Sequence, residues 1–170
     1  MTAVWTSPRT WVTNELVTAP LMNAHIRDNM DYLYTRPRDV DNANAGANYT
    51  TTATSFADVS TSDLSLTVTT TGGRVLVGFT ANVYVVATAV RAYFNITVDG
   101  VAAVADDGLI VMQASANPSL VSFVFMTDIL SVATHMIRVQ WKTNAGTLGM
   151  YSGAGTASFD VHPQFWALEV

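Results

Sequence analysis

The stretch Val75-Leu76-Val77-Gly78-Phe79-Thr80-Ala81-Asn82-Val83-Tyr84-Val85 decides the fold class. Val75, Val77, Phe79, Ala81, Val83 and Val85 share one parity, while Leu76, Gly78, Thr80, Asn82 and Tyr84 share the other. Successive side chains of a strand point to opposite faces, so this period of two describes a long strand with one apolar face laid on a core. Before it, Thr71-Gly72-Gly73 reads as a turn, and Leu64, Leu66 and Val68 alternate with Ser65, Thr67 and Thr69. After it, Ala92, Phe94, Ile96 and Val98 alternate with Arg91, Tyr93, Asn95 and Thr97 and end at Asp99-Gly100, a hairpin dipeptide with Val101 to Val104 as the return. Leu109 to Gln113 forms a further short strand, and Leu120 to Thr127, apolar on both parities, predicts a strand buried on both faces. His135, Ile137, Val139 and Trp141 alternate with Met136, Arg138, Gln140 and Lys142; Thr147 to Tyr151 and Gln164 to Val170 complete the set. The last of these, with Phe165, Trp166 and Leu168, is expected to be a central core strand, since a terminus this apolar must be tied into a sheet. Eight to ten strands without an intervening helix predict a mainly β protein, an antiparallel β-sandwich whose strand count fits a jelly roll.

The N-terminal part has another composition. Residues 1–41 hold 4 of the 8 basic and 5 of the 13 acidic residues. The change falls near Arg36-Pro37-Arg38-Asp39 and is followed by the small, polar run Asp41-Asn42-Ala43-Asn44-Ala45-Gly46-Ala47-Asn48. The chain therefore divides into an attachment arm over 1–40, a linker over 41–48 and a body over 49–170. The arm opens as an extended segment, because Pro8 bars a helix and biases Ser7 toward extended geometry. One short helix is predicted over about 19–34: Thr18 can cap it, Pro20 suits its first turn, and Arg36-Pro37 stops it. Met22, Ile26, Met30 and Leu33 form one apolar stripe, expected to pack on the body or on its mates in an oligomer.

Only 12% of the 170 residues are charged, about half the usual share, while the apolar fraction is 49%. Neutral polar residues fill the gap, with 23 threonines and a single lysine, Lys142. Either Thr, Ser and Asn keep the surface solvated, or part of it is covered by copies of the same chain in a closed oligomer. With no cysteine there is no disulfide framework, zinc–thiolate site or thiol nucleophile. No apolar run approaches the roughly 18 residues of a membrane span. The start Met1-Thr2-Ala3-Val4-Trp5 has neither the basic nor the apolar region of a signal peptide. A net charge of −5 without a Lys/Arg block argues against nucleic-acid binding.

The pattern holds no catalytic constellation. His25, His135 and His162 stand apart, no nucleophile elbow occurs, and Asp106-Asp107-Gly108 reads as a solvated turn rather than a calcium loop. No enzymatic activity, metal or cofactor is expected. Gly149 to Gly155 lacks the ending of a phosphate loop and reads as an exposed loop. Tyr84, Tyr93 and Tyr151 are candidates for a subunit contact or for stacking on a sugar. Trp5, Pro8, Arg9 and Trp11 are the expected assembly anchor, since Trp and Arg are common interface anchors.

These residues also carry a resemblance. Trp5-Thr6-Ser7-Pro8-Arg9-Thr10-Trp11-Val12, then Glu15-Leu16-Val17-Thr18-Ala19 and Met22-Asn23-Ala24-His25-Ile26-Arg27-Asp28-Asn29, resembles a leader of small virion-associated proteins of tailed bacteriophages and prophages. Ile137-Arg138-Val139-Gln140-Trp141 and Pro163-Gln164-Phe165-Trp166 with Glu169 are similar to the C-terminal strands of the same proteins. The body more loosely resembles trimeric jelly rolls of the tumour-necrosis-factor type. The resemblance implies a homotrimeric structural protein of a phage virion, made in the host cytoplasm. Its arm would dock on the major capsid protein as a head decoration, or on a tail protein. A short tail or head fibre, or an adhesin binding a host surface glycan, is the alternative.

Overall fold

The computed structural model describes residues 5–85 and 90–170 and divides the chain into two compact units, Met1–Pro37 and Arg38–Val170. Among the described residues the second unit carries the strands: β1 (Arg38–Asn42), β2 (Tyr49–Thr51), β3 (Ala57–Asp58), β4 (Ser65–Thr69), β5 (Val75–Val85), β6 (Val90–Val98), β7 (Val101–Ala102), β8 (Ile110–Ala114), β9 (Ser119–Met126), β10 (Thr134–Thr143), β11 (Leu148–Met150) and β12 (Gln164–Glu169). They form two antiparallel sheets. In the first, the decisive stretch is the spine: β5 takes β9 on one edge and β12 followed by β11 on the other, with β1 beyond β12 and β2 beyond β11. In the second, β10 lies between β6 and the pair β3 and β4, and β7 and β8 flank β6. Counting β1 with β2, β3 with β4, β7 with β6 and β11 with β12, the strand orders are 1-8-3-6 and 2-7-4-5, the two interleaved sheets of a jelly roll.

Parity builds the core as the pattern requires. Val75, Val77, Phe79, Ala81, Val83 and Val85 are all buried, as are Ala92, Phe94 and Ile96 of β6 and Ile137, Val139 and Trp141 of β10. Phe79 lies 6.0 Å from Phe94 and 6.2 Å from Phe165, and Phe94 lies 6.4 Å from Trp141, so one aromatic chain joins the two sheets. Asp99 and Gly100 both take positive φ (52° and 81°), the geometry that lets a two-residue hairpin follow the strand twist.

Three expectations are corrected. The segment 41–48 is not a free linker: Arg38–Asn42 pairs with β12, and Ala43 donates to the Pro163 carbonyl, so the polar run begins inside the sandwich. Its alternating Asp39 and Asp41 sit on the sheet margin, where Asp39 accepts from the Thr67 N–H, and burial raises the Asp41 pKa. Leu120 to Thr127 is not buried on both faces. β9 is an edge strand whose Val121 faces the core, while Leu120, Val124 and Met126 are exposed. β12 is central, as expected, but only Phe165 of the three named residues enters the core; Trp166 and Leu168 have the opposite parity and lie on the outer face.

In the first unit the helix covers the anticipated 19–34 as Ala19–Met22 and Asp28–Tyr34 joined by a π turn, Asn23–Arg27. Thr18 stands at the N-cap without a side-chain cap bond, and Pro20 lies in the first turn.

Candidate functional site

The outer face of the first sheet is the most unusual surface of the body. Pairing sets its side chains in rows: Leu168, Leu76 and Met126; then Val40, Trp166, Gly78 and Val124; then Gln164, Thr80 and Ser122; then Asn82 and Leu120. Across these rows there is no charge, and Arg38 stands only at the corner beside Leu168. Val40 and Val124 are 61% exposed and Leu120 is 63% exposed. Thr80 and Ser122 spend their hydroxyls on each other, 3.0 Å apart. Gly78 makes the face flat: a Cβ there would lie 2.2 Å from the Trp166 ring, so the indole rests on the strand. Gly149 does the same for Tyr84, with 2.3 Å to the ring.

The outer face of the second sheet is different in kind. Arg138 and Gln140 both bind Asp58, at 3.1 and 2.8 Å. Lys142 reaches the Asp106 carbonyl and the Asp107 carboxylate, and its ammonium lies over the rings of Phe56 and Tyr93 at 4.7 and 4.9 Å. Asp106-Asp107-Gly108 is thus a turn tied to a lysine. This face carries paired charges with Val111 and Met136 exposed among them, a mixed surface of the kind an antiparallel sheet turns to water.

The structure separates the three candidate tyrosines. Tyr84 stacks on Tyr151 at 4.6 Å and Tyr151 on Phe159 at 5.2 Å, forming a ladder at one end of the first sheet. Tyr93 belongs to the second sheet, under Lys142. Phe159, 41% exposed, completes the ladder from a loop that alternation could not address.

In the arm unit, the extended leader lies along the helix. Asn29 is buried and mimics a strand: its Oδ1 accepts from the Thr6 N–H and its Nδ2 donates to the Thr6 carbonyl, both at 2.8 Å. Trp5 packs 5.9 Å from Tyr32 and Trp11 edge-on, 6.3 Å from His25. Arg9 stacks 4.9 Å over Trp11 and pairs with Glu15, which also accepts from the Val12 N–H. The leader therefore uses the His25, Asn29 and Tyr32 side of the helix. Trp5 and Trp11 keep 43% and 41% of their surface open, and Pro8 is exposed. The stripe Met22, Ile26, Met30 and Leu33 is left 42–65% exposed.

One end of the sandwich holds several buried polar groups. Glu169, fully buried, accepts from the N–H groups of Thr71 and Gly73 and from the Thr71 hydroxyl. His135 bonds Asp99 through Nδ1 at 2.7 Å and faces the Ser131 carbonyl through Nε2 at 3.0 Å. A cavity of about 410 Å³ opens beside them, lined by Val98, Val101, Phe125 and Leu130, but His135, Asp99 and Thr127 already have partners. Among the described residues no three His, Asp or Glu side chains stand together as metal ligands. Sequence reasoning missed the Asp99–His135 pair because 36 positions separate its members.

Neither a protein-family model nor a curated protein matches the chain. Solved structures do. A mutant VP2 protein of infectious bursal disease virus, in derived T=1 particles, is 13% identical with a TM-score of 0.44, over 79% of this chain and 36% of that one. Another structure of T=1 particles derived from the virus gives 13% and 0.43 over the same shares. A structure of the Gt strain gives 12% and 0.42, over 79% of this chain and 38% of that one. The chain spans little more than a third of the length of these matched chains.

Proposed function

We propose that the chain is a non-enzymatic structural protein of a bacteriophage particle, in which the arm attaches and the body projects. The observation that carries this reading is the distribution of open apolar surface. Trp5, Trp11 and the Met22–Leu33 stripe on the arm, and a charge-free sheet face on the body, remain uncovered in a protein with only 12% charged residues. Contiguous apolar surface of this kind marks places where partners sit. The leader resemblance supplies the class of particle. The finer assignment is a homotrimeric head decoration docked on the major capsid protein, since the described body is one jelly roll without a repetitive shaft. Three linked arms would raise avidity without any new contact.

A second reading, a glycan-binding adhesin of the virion, is favoured by the Tyr84–Tyr151–Phe159 ladder with its exposed end. Trp11→Ala tests the arm. The variant should keep the wild-type melting temperature and oligomeric mass in free solution yet fail to join particles. Unchanged incorporation, or loss of the oligomer in the absence of particles, contradicts the assignment.

A further inference from the structure

We infer that the outer face of the sheet built on β5 is the surface through which copies of this chain meet. This deepens the proposed reading by naming the subunit contact, and its test uses free protein, so that its failure and that of the virion reading can be told apart. The second sheet presents paired charges to water, whereas the first presents Leu76, Leu168, Trp166, Val124, Met126 and Leu120 with no charge among them. Depletion of charge with enrichment of aromatic and Met side chains is the composition of an interface centre. Gly78 flattens Trp166 onto the strand, which leaves a plane rather than a knob for a neighbour to cover.

The size fits a second copy. From Leu76 to Tyr84 the face runs about 27 Å at about 3.4 Å per residue, and four strand positions about 4.8 Å apart make it about 19 Å wide. That is about 500 Å² on each copy, or about 1,000 Å² for a pair, which reaches the size of a specific interface. The neutral Asn82 and Gln164 offer a neighbouring copy hydrogen bonds without any buried charge. A sugar would need polar groups around an aromatic platform, but here Val40 and Gly78 lie beside the indole and Leu168 along its strand, with Gln164 as the polar neighbour on the other side. An anionic membrane would need a cluster of basic residues, whereas Arg38 and Arg74 stand singly at the border of the face and Arg74 is paired with Asp128. The apolar outward parity of β9 then has a cause, since the strand is covered on its second face by another subunit.

The test is the mass of the full chain by light scattering across a concentration series. Wild type should give a multiple of 18.3 kDa. Val124→Asp, at an exposed site outside the core, should raise the dissociation midpoint at least tenfold with its circular dichroism unchanged. Val111→Asp, 52% exposed on the second sheet, should leave the midpoint where it was. A wild-type monomer at every concentration, or equal midpoints for the two variants, overturns the inference. Because the chain has no cysteine, a readout independent of the Asp variants is available. Ser122→Cys should react with a maleimide at least tenfold more slowly than Gln113→Cys in the assembled protein, and equal rates overturn the proposal. Binding of a soluble polysaccharide that blocks Ser122→Cys in a monomeric protein would also overturn it, in favour of a glycan site.

Discussion

His135 is a buried side chain whose surroundings favour the protonated imidazole. Both of its ring nitrogens face acceptors, the Asp99 carboxylate and the Ser131 carbonyl, so both need a proton. The Ser131 carbonyl first, and then Asp99, raise its pKa above the usual 6.5, with the field of Glu169 adding to them. Asp99 is held below 3.8, by the Met136 N–H first and then by His135. The signs differ. A raised histidine pKa gives stability that is fully present below the unfolded value and is lost as pH rises through the folded one. The lowered Asp99 contributes above its unfolded value and loses that contribution as pH falls through its folded one. The unfolding free-energy difference between wild type and His135→Gln, measured in urea, should therefore shrink as pH rises above 6.5. A difference constant over that range would contradict the charged imidazole. Parity placed His135 on the core side of its strand, but nothing in the sequence set Asp99 beside it. That pair exists because a hairpin turn and the start of β10 meet at one end of the sandwich.

The arm's leader and helix are held together by one amide side chain rather than by the apolar stripe. Asn29 satisfies both backbone groups of Thr6, and the two Trp rings pack beside it. Asn29→Ala leaves a backbone pair of Thr6 without partners, at a cost of about 1–3 kcal/mol to local order. Hydrogen exchange of the Thr6 amide should accelerate, while the melting of the jelly roll stays unchanged. An unaltered Thr6 rate would show that the Trp contacts alone hold the leader. The helix was legible from Thr18, Pro20 and Arg36-Pro37, and its extent agrees with that reading. Its buried side was not, because hydrophobic spacing singles out Met22, Ile26, Met30 and Leu33, whereas a hydrogen bond decided which side the leader takes. β9 shows the same limit. Apolar residues on both parities predict two buried faces, whereas within this chain only the Val121 side of β9 meets the core.

At the scale of the molecule, the jelly roll was readable because one long alternating stretch fixed the spine and each later strand kept its parity. The short strands β2 and β3 and the polar β1 escaped that reading: two or three residues have no period, and Asp at alternate positions of an edge looks like a loop. The candidate surfaces were legible as composition, a shortage of charge, but their location was not. The structure puts open apolar surface on one outer sheet face of the charge-poor body and on the arm, which with its neighbouring residues up to 41 carries 4 of the 8 basic and 5 of the 13 acidic residues. The account ties them to one task, carrying the body on a particle by its arm. The direct measurement is the protein content of gradient-purified particles from a phage or prophage encoding this chain. The account predicts the intact chain in those particles at a fixed copy number, lost on Trp11→Ala. Particles that lack the chain while it is abundant in the same lysate would contradict it.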